Sequence, residues 1–175
     1  MRIFSINRKP SRTGYTIIEL LVAMTVFMML ISVTSGIFIR ALRTQRMTTA
    51  LIAANSNAGL AIEQISREIR TGTGFVTNGI SLTFNNAKNQ SVTYRWNNVS
   101  SALAIERSID GINFKRITAD NVRIHNLNFT VFRGPSQANP YPARITIVLQ
   151  VGALTQFPDA PLVNLQTTVS ARVLE

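Results

Sequence analysis

Residues able to do chemistry are few and unevenly placed in this chain. There is no cysteine, which removes thiolate nucleophiles, thiolate metal sites and disulfides. The single histidine, His125, lies between Ile124 and Asn126 in a strand-like stretch, the setting of a structural imidazole rather than a catalytic one. No phosphate-cradling loop or nucleophile elbow accompanies it. The acids after Gly72 are Glu106, Asp110, Asp120, Asp159 and Glu175, too scattered to make a calcium loop. The expectation is a protein that is not an enzyme and holds no metal or cofactor. One carboxylate stands apart: Glu19, in Gly14-Tyr15-Thr16-Ile17-Ile18-Glu19-Leu20, opens a long apolar run. A charge near the centre of such a run costs about 2.5 to 3.5 kcal/mol on insertion scales, so Glu19 calls for a job or a partner.

The element that must position Glu19 is a helix. Residues 20–39 carry no charge, and twenty helical residues extend about 30 Å, the thickness of a bilayer's hydrocarbon core. Before the run stands a basic segment with Arg2, Arg8, Lys9 and Arg12 and no acid. An ordinary secretory signal places a shorter apolar region ahead of its cleavage site; here the run is longer and follows Gly14. A plain signal anchor needs only the basic leader and the span, and leaves Gly14 and Glu19 without a role. Leader positives favour a cytoplasmic N-terminus, whereas Arg40, Arg43 and Arg46 just past the span pull the other way. Charge alone leaves the orientation open.

The order basic leader, Gly14, aromatic Tyr15, Thr16, two aliphatics, Glu19 and apolar helix resembles the cleavage and methylation signal of type IV prepilins and type II secretion pseudopilins. The resemblance implies that a prepilin peptidase at the cytoplasmic face cuts after Gly14 and methylates the new amino terminus of Tyr15. It implies that Glu19 meets the amino terminus of a neighbouring subunit during filament assembly, at an inner-membrane assembly platform. A carboxylate and an ammonium in an apolar bundle are tolerable only as a pair. The implied location is the cytoplasmic (inner) membrane, crossed once, with the globular part outside.

The chain of 175 residues has a formal net charge of +10, four of them in the leader, so the cleaved form stands at +6. Leader 1–14, membrane and filament-core helix 15–43 and globular domain 44–175 are the expected divisions, with about 100 residues left for a single modest core after the helix. Past the span, Met47, Leu51, Ala54, Ala58, Ala61, Ile62, Ile65 and Ile69 recur at spacings of three and four, the stripe of an amphipathic helix. Gln45, Asn57, Gln64, Arg67 and Arg70 fall largely opposite. One helix from about Thr16 to Arg70 is expected, its outer part at 44–71, stopped by Thr71-Gly72-Thr73-Gly74. Gly36 within it costs about 1 kcal/mol relative to Ala but keeps the hydrogen-bond ladder; major type IV pilins commonly have a kinking proline near this point.

From Phe75 the period becomes two. Strands are expected over 80–84 and 91–96, joined by the polar turn 85–90, then over 102–108 and 113–117 around Asp110-Gly111. Leu127, Phe129 and Val131 alternate, as do Ile145, Ile147, Leu149 and Val151, and a last strand covers 162–173. Six or seven short strands make one antiparallel sheet over 72–175, covered by the apolar stripe of the helix. The fold class is thus α+β and pilin-like. Proline-bearing loops at 134–142 and 152–161 are long for hairpin connections.

Residues 65–70, Val92-Thr93-Tyr94-Arg95, residues 124–131 and Pro142-Ala143-Arg144-Ile145-Thr146-Ile147 are similar in pattern to the J-type minor pseudopilins and W-type minor pilins. Glu19 sets the chain apart from the K-type tip subunit, which lacks that acid. The expected function is a structural, minor subunit of a type IV pilus or type II secretion pseudopilus, with the peptidase, other pilin or pseudopilin subunits, the assembly platform and membrane lipid as partners. Two alternatives stand beside it. One is a membrane-anchored envelope protein that never polymerises. The other is a DNA-binding minor pilin, using Arg95, Arg107, Lys115, Arg116, Arg123, Arg133 and Arg144 with Tyr94, Trp96 and Phe114 interleaved. Against the latter, alternation buries Tyr94 and Trp96 and turns Arg95 outward, as in a solvated arginine face.

Overall fold

The computed structural model describes residues 14–99, 103–132, 141–154 and 161–172. The leader 1–13, Arg133, Asp159, Glu175 and most of the loops 134–142 and 152–161 lie outside these residues. The chain forms two compact units, Met1–Thr44 and Gln45–Glu175.

A single helix, α1 (Ile17–Arg70), runs without interruption through Gly36. In the first unit its residues are exposed all round, and an 18-residue window reaches a mean hydropathy of 2.3. This is long and apolar enough to cross a membrane. Both threonine hydroxyls inside the run bond back to their own helix: Thr25 Oγ1 donates to Val22 O at 2.8 Å and Thr34 Oγ1 to Leu30 O at 2.8 Å. Such back-bonding removes part of the cost of a hydroxyl in hydrocarbon.

In the second unit, Ala54, Ala58, Ala61, Ile65 and Ile69 are buried, which is the stripe the spacing predicts. Asn57, placed by spacing on the outer face, is half-buried and donates through Nδ2 to Asn121 Oδ1 at 3.3 Å.

The helix stops in a tight turn, with Thr71 N donating to Glu68 O and Gly72 N to Ile69 O. The two glycines that follow play different parts. Gly72 is buried against the Phe84 ring, where a Cβ would stand 2.5 Å from Cδ2. Gly74 takes φ +70° at a bulge and already belongs to a strand, β1 (Thr73–Thr77), so the segment read as a stop is also the start of the sheet.

Among the described residues there are two sheets, not the one expected, and eight strands rather than six or seven. The first contains β1, β2 (Ser81–Asn85), β3 (Ser91–Asn97), β4 (Ala104–Ser108) and β5 (Lys115–Arg116) in sequential antiparallel order. The second contains β6 (Val122–Phe132), β7 (Arg144–Ala153) and β8 (Val163–Ser170). Asn86 holds the β2–β3 turn by accepting from Lys88 N and Gln90 N through its side chain.

The break between sheets has a local cause. β5 is only two residues long, and β6 approaches all four of β1 to β4 instead of pairing along any of them. Single bonds replace a ladder: Ile124 N to Leu103 O at 2.7 Å, Phe129 N to Gly79 O at 2.6 Å, and Trp96 Nε1 to Ile124 O at 2.9 Å. His125 is the extra residue of a bulge in β6, exposed and packed beside Gly152. Bulges of this kind raise local twist and bend the strand.

The core is one cluster between helix and both sheets. Phe75, Phe84 and Tyr94 stack in series, with centroids 5.4 and 6.2 Å apart, and Leu127, Phe129, Ile145, Ile147 and Leu149 complete it. The Tyr94 hydroxyl is buried without a hydrogen-bond partner. Burial, and after it the negative charge of Glu68, raises its phenol above the ordinary range. Beside it Arg107 grips both oxygens of Glu68, at 2.9 Å to Oε1 and 3.3 Å from Nε to Oε2, tying β4 to the last turns of α1.

Candidate functional site

The site singled out by the sequence lies where α1 begins. Gly14, Tyr15 and Thr16 are non-helical and exposed, and Ile17 is the first helical residue. Thr16 caps the helix: its Oγ1 accepts from Glu19 N at 3.3 Å, and its carbonyl accepts the first i→i+4 bond from Leu20 N at 3.2 Å. Thr16-Ile17-Ile18-Glu19 is therefore a Ser/Thr-x-x-Glu signature, with Glu19 at the third helical position. The charge of Glu19 does not by itself point to this cap, whereas its three-residue spacing from Thr16 does. A carboxylate there also faces the positive end of the helix dipole, worth about 0.3 to 1 kcal/mol.

Glu19 is exposed, and with Tyr15, Leu20, Ala23, Met24 and Phe27 it lines an open apolar groove along one side of the helix. Gly14, the proposed cleavage point, has no neighbour within 4 Å of where a Cβ would stand, so it is an accessible peptide next to an ordered helix start. This arrangement can present a backbone bond to a peptidase and leave a new amino terminus one residue before the cap.

Three arginines of the basic, aromatic set proposed for DNA are held in ion pairs. Arg95 pairs with Glu106 at 2.8 Å across β3 and β4, with its guanidinium 3.5 Å from the Phe114 ring centroid. Arg107 is held by Glu68 and Arg116 by Asp120 at 3.0 Å. Partial burial works against the charged form of Glu106, but hydrogen bonds from Asn97 and Arg95 outweigh it and hold the carboxyl below its usual range. Tyr94 is buried and Trp96 half-buried, as alternation predicts. The solvated arginine face is therefore only partial: Arg95 is held by a carboxylate of the neighbouring strand, Arg107 by one from the end of α1 and Arg116 by one four residues on. Asp110 in turn caps the β4–β5 loop, its carboxyl lowered by the Ser108 hydroxyl first and by the amides of Asn113 and Ile112 next.

A family model described as the prokaryotic N-terminal methylation motif matches residues 9–35. Among curated proteins and solved structures, none matches the chain. Residues 9–35 thus carry the prepilin signal of type IV pilins and pseudopilins, and the match brackets Gly14, Tyr15 and Glu19.

Proposed function

We propose that this chain, a substrate of a prepilin peptidase through that signal, is a minor structural subunit of a type IV pilus or type II secretion pseudopilus. Cleavage after Gly14 frees Tyr15 for methylation, and Glu19 pairs with the amino terminus of a neighbouring subunit. The J-type or W-type pattern supports a minor role. The observation that carries the reading is the coincidence of the methylation motif at 9–35 with a helix that starts at Ile17 and stays apolar on every side through residue 39. A plain anchor requires the apolar span but neither Gly14 nor an acid behind a capping threonine.

Intact-mass analysis of the membrane-extracted protein tests this. The expected species begins at N-methyl Tyr15, and a bulky residue at Gly14 blocks its formation. An unprocessed form in cells that contain the peptidase would overturn the reading in favour of an anchored envelope protein that never polymerises.

A further inference from the structure

The outward face of the second sheet has an unusual composition that becomes visible only through strand register. Four rows cross it: Asn126, Gln150 and Asn164; Asn128, Val148 and Gln166; Thr130, Thr146 and Thr168; and Phe132, Arg144 and Ser170. The inward alternates, Leu127, Phe129, Ile145, Ile147, Leu149 and Val169, are buried in the core. Of these twelve positions only Arg144 is charged and none is acidic, and the next pair along β6 and β7 is Arg123 and Gly152. Protein surfaces ordinarily mix both signs; loss of charge with retention of an aromatic and an arginine is the composition of an interface core.

At one end of this face the fold gathers three arginines from distant parts of the chain. Arg144 stands opposite Ser170, Ala171 N donates to Ala143 O at 2.8 Å, and Arg172 N donates to Arg70 O at 2.9 Å. Arg70, Arg144 and Arg172 are exposed, and among the described residues no carboxylate pairs with any of them. Phe132, 60% exposed, sits directly across from Arg144.

We propose that this face docks an acidic segment of a different subunit of the same filament, with Arg144 and Arg172 supplying the counter-charge and Phe132 the apolar anchor. The proposal rests on the filament-subunit reading and names a partner for it. A symmetric pair of copies meeting face to face is excluded as the occupant, since neither face carries an acid and the guanidiniums would be buried without a counterion. Nucleic acid fits less well, because affinity for a phosphate backbone grows with the number of cations engaged and three gather here among the described residues. Strand spacing and rise make the face roughly 400 Å², about half the usual share of one partner in a stable complex. The contact is therefore weak alone and depends on the effective concentration that co-assembly provides.

A photo-crosslinking residue at Gln166, which is exposed in the middle of β8, tests this in the full-length protein expressed in its own cells. Irradiation is expected to give an adduct with a different polypeptide of the filament fraction, mapped to a peptide rich in Asp and Glu. Arg144→Glu with Arg172→Glu should lower that adduct by roughly tenfold or more, while Lys88→Glu, on the exposed β2–β3 turn, should leave it unchanged. Replacing the crosslinked acids of the partner by lysine should restore it. An adduct with a second copy, an adduct with nucleic acid, an adduct indifferent to charge reversal, or no adduct at all overturns the proposal. Leader cleavage and fractionation are scored on the same samples. Processed, filament-borne protein without the adduct sinks the docking face alone, and unprocessed protein sinks the filament reading.

Discussion

Replacing Glu19 by leucine separates membrane insertion from assembly. Glu19 occupies the third position of α1 behind the Thr16 cap and is exposed in the isolated chain. Losing its favourable interaction with the helix dipole costs about 0.3 to 1 kcal/mol. Removing an ionised group from the edge of an apolar span returns up to about 2.5 to 3.5 kcal/mol, less at the edge than at the centre. Insertion of the Leu variant should therefore be unimpaired. In the proposed filament the same change strands a neighbour's ammonium in an apolar bundle, and breaking a buried pair from one side costs about 3 to 5 kcal/mol. That corresponds to a loss of incorporation of roughly two to three and a half orders of magnitude. Glu19→Gln, which keeps an acceptor but no charge, should fall between the two. Alkaline-resistant membrane association, followed by immunoblotting of sheared filaments, reads both steps on the same cells. Normal membrane association together with incorporation within about twofold of wild type, a difference of under 1 kcal/mol, would refute the pairing argument.

Two further tests concern the globular unit. Gly72→Ala places a methyl group 2.5 Å from the buried Phe84 ring and should destabilise the fold by about 1 to 3 kcal/mol through overpacking, read as a lower unfolding midpoint by near-ultraviolet circular dichroism in mild detergent; an unchanged midpoint would show that the ring yields freely. Glu106 has a depressed folded pKa, so its contribution to stability is present above its unfolded value of about 4.3 and disappears as pH falls through the lower folded value. Glu106→Gln should accordingly be less stable than wild type at neutral pH, with the gap closing in acid, and a gap that stays constant on acidification would contradict the ion-pair account.

Much of this protein was legible from the residues alone. The helix and its two regimes follow from composition and spacing: a run over 20–39 without charge suits an apolar surrounding on every side, and the stripe from Met47 to Ile69 fits only a 3.6-residue period. The methylation motif is local as well, because it is read within the short stretch 9–35 that contains Gly14, Tyr15 and Glu19. The same locality made Thr16 readable as a cap, through its three-residue spacing from Glu19. What the tertiary structure decided depends on contacts between residues far apart in sequence. Alternation shows that residues 122–132 form a strand, but it carries no information about which strand lies alongside. The separation into two sheets arises from the shortness of β5, the bulge at His125 and the few single bonds that β6 makes to the first sheet. Likewise, Arg95 and Arg107 look alike in sequence to Arg144 and Arg172; only register sets Glu106 beside Arg95, packing brings Glu68 to Arg107, and the closure of β8 against the end of α1 leaves Arg70, Arg144 and Arg172 together with no paired carboxylate among the described residues. Charge type is a property of a residue, whereas whether that charge is neutralised depends on which distant backbone the fold brings within a few ångströms of it.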